Sequence, residues 1–183
     1  MVDNPVCVKR IAIVGPGGAG KSRLAVELGQ QLGIKVVYLD RLFWKPGWVP
    51  RPPHEWDAIQ REQRAGEEWI VEGLTGSTIE PWLREADTVV LLDLPLLVCI
   101  WRVTRRRLNS EEGVGAPAGC EPAPFHQAFL KFLRRLWHYR QRDRPAILDH
   151  LERRESGRQV YVIRNSGDST AFFARVRDNA IRR

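Results

Sequence analysis

The chain has 183 residues, enough for one compact domain, with 43% apolar and 28% charged side chains. Those fractions are near the globular average, so long disorder, a collagen-like repeat and a coiled coil are excluded. The formal net charge of +7 is unevenly placed: residues 1–100 carry 11 basic and 13 acidic side chains (net −2), and residues 101–183 carry 18 and 9 (net +9). Such asymmetry points to a polyanion, either nucleic acid, a membrane surface or nucleotide phosphates; the plainer reading is a solvated, Arg-rich set of helix faces. The longest apolar run, Thr88 to Trp101, contains Asp93 and Pro95, so no membrane span is expected. MVDNPVCVKR lacks the apolar stretch of a secretory signal, and Cys7, Cys99 and Cys120 form no CxxC. A reducing, cytoplasmic setting follows as the expectation.

In chain order, Val8 to Val14 reads as a buried strand running into a glycine-rich turn. Leu24, Ala25, Leu28 and Leu32 then recur at helical spacing, and Gly33 offers a stop. VVYLD (36–40) predicts a second strand ending on an acid, and FWKPGWVPRPP (43–53) a loop. A helix is expected over His54 to Gln63, with His54 as a helix-start residue. Strands are expected over 68–73 and 88–95, with a short helix over 78–86 between them. A helix over 96–108 turns basic toward its end, residues 109–124 read as an insertion rich in glycine and proline, and a second basic helix spans about 125–143. Pro145 restarts a helix through Leu151, QVYVI (159–163) is a fifth strand, and 168–180 closes as a helix. Continuous apolar strands alternating with helices predict a three-layer α/β domain with a parallel sheet.

Gly15-Pro-Gly-Gly-Ala-Gly20-Lys21-Ser22 matches G-x-x-x-x-G-K-[ST] between strand and helix. A polyphosphate needs several backbone N–H donors converging on one point, and Gly15, Gly17, Gly18 and Gly20, with Ala19, leave that approach clear. The helix start adds its positive dipole end. Lys21 is expected on the β- and γ-phosphates of ATP or GTP, Ser22 on Mg²⁺ and Arg23 beside them. Three acids close strands on the loop's side. Asp40 could orient or deprotonate an attacking hydroxyl, hold metal through water or only cap a turn. Glu72 is favoured over Asp93 for Mg²⁺, because Pro95 starts a helix that Asp93 could cap.

Residues 101–145 hold 10 basic and 4 acidic side chains. Arginines suit the charge that spreads over a departing γ-phosphoryl group, and Arg102 and Arg106 are four apart on one helix face. Arg140, Arg142 and Arg144 alternate and cannot all point one way; Arg107, Arg153 and Arg154 read as solvated. A different use of the same stretch is nucleic-acid backbone binding, with Trp137 and Tyr139 as stacking rings. Phe43, Trp44, Trp48 and Trp56 cluster after Asp40, either to stack on a flat acceptor or to fill the core beneath the loop.

GPGGAGKS, YLDRLFWKPGW, WIVEG and ADTVVLLDLPLLVCIWRVTRR, in that order, resemble the bacterial DNA topology modulation (FlaR-like) proteins, relatives of adenylate and shikimate kinases among the P-loop kinases. The resemblance covers most of residues 9–175. It implies a five-stranded parallel sheet of order 2-3-1-4-5 in a single domain, 1–183, with a helical lid insertion at 102–144. It also implies lid arginines beginning at Arg102 and Arg106, adenine held by Asn165 and Ser166, and ATP with Mg²⁺ as cofactors. WIVEGLTG stands where adenylate kinases carry D-G-F-P-R, so a plain adenylate kinase is not implied. The expected activity is ATP-dependent phosphoryl transfer to a small hydroxyl- or phosphate-bearing acceptor, with a nucleoside or nucleotide among the options. The alternative is an ATP-binding protein that contacts DNA or RNA through its basic helices, with vestigial ATPase activity.

Overall fold

A computed structural model describes residues 8–108, 119–120, 125–152 and 158–181. Five parallel strands form the central sheet: β1 (Arg10–Val14), β2 (Val36–Tyr38), β3 (Trp69–Glu72), β4 (Thr88–Leu92) and β5 (Gln159–Ile163). Their spatial order is β2-β3-β1-β4-β5, as expected. β1 pairs with β3 from Arg10↔Trp69 and with β4 from Ile11↔Thr88, so the strand that feeds the glycine-rich turn lies at the centre. Asp87 fixes this register, accepting the backbone N–H groups of Lys9 and Arg10 at 2.8 and 2.7 Å.

Successive strand residues point to opposite faces, and both faces are covered. On one, Ile11, Ile13, Ile70 and Val90 meet Leu24, Ala25 and Leu28 of α1 (Lys21–Leu32) and Phe172 and Val176 of α7 (Ser166–Ile181), together with Cys99 of α4 (Leu96–Leu108). On the other, Ala12, Val14, Val71 and Val89 meet Ile79, Trp82 and Leu83 of α3 (Ile79–Glu85) and Ile147 of α6 (Arg144–Glu152). Trp69 and Trp82 pack edge to face at 4.8 Å there, a geometry worth about 0.5–1.5 kcal/mol beyond area burial. The remaining helices are α2 (Pro53–Arg64) and α5 (Phe125–His138). No helix among the described residues is long and apolar enough to cross a membrane.

Three local expectations change. β2 stops at Tyr38, and Leu39–Phe43 is a helical turn, so Asp40 stands in that turn rather than at a strand end. The expected loop at 43–53 contains a small antiparallel hairpin, Trp44–Lys45 with Val49–Pro50, whose tip holds Trp48 at φ 59°. Phe43 packs edge-on against Trp44 and Trp56, and Trp44 against Trp48, which braces the hairpin on α2. The second basic helix ends at His138 and passes through a π-helical turn, Tyr139–Asp143, into α6.

Candidate phosphate-binding site

The loop between β1 and α1 carries the site. Gly18 has φ +82°, and a Cβ there would stand 2.5 Å from the carbonyl oxygen of Cys99. A Cβ on Gly17 would lie 2.8 Å from the ring of Phe132. Helices α4 and α5 thus press directly on the loop backbone, and only glycine fits beneath them. Gly20 caps α1 in the left-handed conformation, and Leu24 N–H returns to its carbonyl at 3.0 Å. The first N–H groups of α1 have no partner within the helix, and with the helix dipole they favour an anion.

Lys21 donates to the carbonyls of Gly15 (3.0 Å) and Pro16 (3.1 Å), folding its ammonium back over the loop. Arg102 donates to the carbonyl of Ala19 at 3.1 Å, which brings α4 to the opposite rim. Between them lies a groove of about 230 Å³ lined by Gly18, Gly20, Lys21, Ser22, Arg23 and Arg102. Lys21, Arg102 and the α1 terminus therefore border one concavity, with Arg23 at its edge paired to Glu27 at 2.7 Å. Arg106 belongs to α4, but its side chain lies outside the described residues.

Ser22 donates its hydroxyl to Oε1 of Glu72 at 3.1 Å, although 50 residues separate them in the chain. Glu72 is 6% exposed. Burial pushes its carboxyl above the usual range; Lys21 opposes that shift, the nearby Asp40 charge adds to it, and the Ser22 hydroxyl opposes it. A hydroxyl beside a carboxylate offers oxygen donors of the kind Mg²⁺ takes, so Ser22 and Glu72 are the residues that could hold that ion. Asp40 is placed by Gly73, which has φ +87° and whose Cβ would meet the Asp40 backbone nitrogen at 2.8 Å. Glu72, Asp40 and Ser22 are thereby gathered on one side of Lys21.

Asp93 is engaged elsewhere. Arg144 grips it with two hydrogen bonds of 2.9 Å, and Arg164 stands 3.9 Å away. The Arg144 hydrogen bonds hold the Asp93 carboxyl below its usual range, against the effect of burial. Asn165 and Ser166, expected near adenine, line neither the groove nor the neighbouring cavity; the Asn165 carboxamide accepts Asp168 N–H at 3.0 Å and caps α7. Tyr139, expected as a stacking ring for single strands, is buried at 9% exposure, whereas Trp137 is 63% exposed. Tyr139 continues the Phe132–Leu136 stripe at helical spacing, the signal that could have revealed its burial.

The Glu72 environment makes a pH-dependent prediction. Its folded pKa is raised, so its protonated form favours the fold, and that contribution is lost as pH rises through the folded value. Ligand-free Glu72→Gln is therefore expected to melt higher than wild type at about pH 8, the gap closing toward about pH 4. Thermal melts across pH check this; a gap that stays constant down to about pH 4 refutes it. Mg²⁺-nucleotide should stabilise the variant less than wild type.

The architecture is an α/β fold with a five-stranded parallel sheet, and it is similar to that of solved kinases. Shikimate kinase from Bacteroides thetaiotaomicron superposes with a TM-score of 0.52 at 14% identity, covering 93% of this chain and 96% of that one. A gluconokinase from Sinorhizobium meliloti 1021 gives a TM-score of 0.48 at 16% identity, with 94% and 95% covered. Deoxyadenosine kinase from M. mycoides with bound dATP gives 0.44 at 12%, with 92% and 98% covered. No family model matches the chain. A curated protein, the oxidoreductase poxI of Penicillium oxalicum, is 39% identical over 56 residues, and that match spans 31% of this chain and 17% of the relative.

Proposed function

We propose that this chain is an ATP-dependent phosphotransferase of the P-loop kinase type, acting on a small hydroxyl- or phosphate-bearing acceptor and kin to the FlaR-like proteins it resembles. The observation that carries the reading is the Ser22–Glu72 hydrogen bond beside Lys21. A loop serving only to pack strand on helix has no need of a buried acid reaching a serine across 50 residues.

In this reading the loop backbone from Gly15 to Gly20 and the α1 terminus cradle the phosphates, with Lys21 turning from its carbonyl partners to the phosphate oxygens. Ser22 and Glu72 would hold Mg²⁺, which would neutralise phosphate charge. Asp40 accepts the proton of the acceptor hydroxyl or orients it; the acceptor oxygen bonds to the γ-phosphorus as the β–γ bridging bond breaks, and ADP leaves. Arg102, and Arg106 on the same helix, stabilise the γ-phosphoryl group as the bond breaks, and the segment 102–144 serves as the lid that excludes water.

A panel of nucleosides, nucleotides and small metabolites, scored for acceptor-stimulated ADP release with Mg²⁺, tests the reading. At least one class should raise ADP release well above the acceptor-free rate, because a site closed against water suppresses hydrolysis. No stimulation by any class, together with single-stranded DNA binding that falls linearly in log[salt], would favour the nucleic-acid alternative.

A further inference from the structure

A second cavity, of about 350 Å³, adjoins the phosphate loop at Pro16 and is lined by Asp93, Tyr139, Arg140, Arg144 and Arg164. Its walls come from the ends of β4 and β5, the π-helical turn and the start of α6. Tyr139 and α6 pack on the α3 face of the sheet. The nucleotide groove is walled instead by α1 and α4, whose Leu24 and Cys99 pack on the opposite face. Leu94 and Leu96, the latter the first residue of α4, also line the second cavity, so the two concavities adjoin the same loop and share α4 as a wall.

Three features make this cavity a built site. Three guanidinium groups face one carboxylate, leaving two positive charges in excess; Arg144, Arg164 and Arg140 all act on Asp93. Tyr139, 9% exposed, keeps a buried hydroxyl with no hydrogen-bond partner among the described residues. Other buried polar atoms among the described residues are unpartnered too, among them Thr88 Oγ1 and Trp69 Nε1, but of these residues Tyr139 is the one that lines this cavity. Tyr139 and Arg140 also belong to a π-helical turn, and Arg144 follows it; such turns re-aim side chains and recur at functional sites. Arg140 and Arg144 are four apart, so one helical face presents both forks.

We infer that this cavity binds the anionic group of the phosphoryl acceptor, a phosphate or carboxylate, so that the acceptor is a small anion and not a neutral polyol or nucleoside. Asp93 holds the Arg144 fork in the ligand-free protein. An incoming anion meets Arg140 and Arg164 and accepts a hydrogen bond from Tyr139. The inference rests on the phosphotransferase reading for the word acceptor, while the anion site itself does not.

The test is calorimetric titration of inorganic phosphate into protein saturated with Mg²⁺ and a non-hydrolysable ATP analogue, which occupies the other groove. Phosphate should bind, and Arg140→Gln and Arg164→Gln should each weaken it by at least about tenfold, the scale for a charged hydrogen bond. Both arginines are exposed, so folding should survive, with thermal melts as the control. Tyr139→Phe should weaken phosphate severalfold without lowering the melting temperature, because it removes an unpartnered hydroxyl. Acetate serves as the second arm, and competition with phosphate marks a carboxylate-tolerant site. In turnover, the acceptor KM should rise in the arginine variants while the ATP KM stays within about twofold. No phosphate binding to the saturated protein, or wild-type binding by both arginine variants, overturns the inference. Acceptor-stimulated ADP release that survives Lys21→Ala would instead sink the phosphotransferase reading and leave the phosphate result to decide the anion site alone.

Discussion

Lys21→Ala is expected to remove detectable phosphoryl transfer while the fold stays intact. Its ammonium makes two hydrogen bonds in the ligand-free protein, both to carbonyls of its own loop, so its loss disturbs no distant packing. Gly15 and Pro16 keep their places through the strand above them and the Ala19 N–H that returns to the Pro16 carbonyl at 3.2 Å. What disappears is a full positive charge on the transferring phosphates. Removing a single preorganised donor lowers turnover by about 10²–10³-fold, and a whole charge in a water-excluded groove belongs at or above the upper end. Arg102 approaches from the other rim of the groove, beside the Ala19 carbonyl, so it supplies charge at a different point and does not replace Lys21. Unchanged circular dichroism with ADP release at background is the expected pair of results. Turnover retained in a clean preparation would sink the loop-based mechanism.

Asp40→Asn is expected to lower turnover by at least about a hundredfold, the usual lower scale for a positioned acid–base group. Asp40 is exposed on a helical turn, pressed against Gly73 and close enough to Glu72 for its charge to raise that carboxyl. Asparagine keeps the shape and removes both the proton acceptor and the charge. Affinity for Mg²⁺-ATP should change little, because the phosphate cradle is built from the loop and from Ser22 with Glu72. Nucleotide titration beside steady-state turnover separates the outcomes. A collapse of ATP binding with acceptor turnover intact at saturation would assign Asp40 to the metal or to the fold.

Much of this protein was legible because its signals are local. Apolar runs too long to alternate announced five strands, of which the central three are buried along nearly their whole length, and a glycine-rich turn lies between strand and helix where the motif puts it. The period of α1 and the stop at Gly33 follow from side-chain spacing and from glycine's tolerance of the left-handed region. The expected strand order of the central sheet agrees with the pairing observed.

What the tertiary structure alone decided are the pairings between residues distant in the chain. The sequence favours Glu72 over Asp93 for Mg²⁺ only through the position of Pro95. The structure adds where each acid goes: Ser22 reaches Glu72, and Arg144, 51 residues beyond, pairs with Asp93. Asp40 moved from strand to helical turn because its position depends on contact with Gly73, a partner no local pattern reveals. Tyr139 falls on the Phe132–Leu136 face by helical spacing and is buried as that spacing implies, while the π-helical turn at 139–143 shifts the register only for the residues that follow. Periodicity records which face of an element is apolar. Which element that face meets, and which charges then oppose each other, is fixed only when the sheet brings the strand ends together.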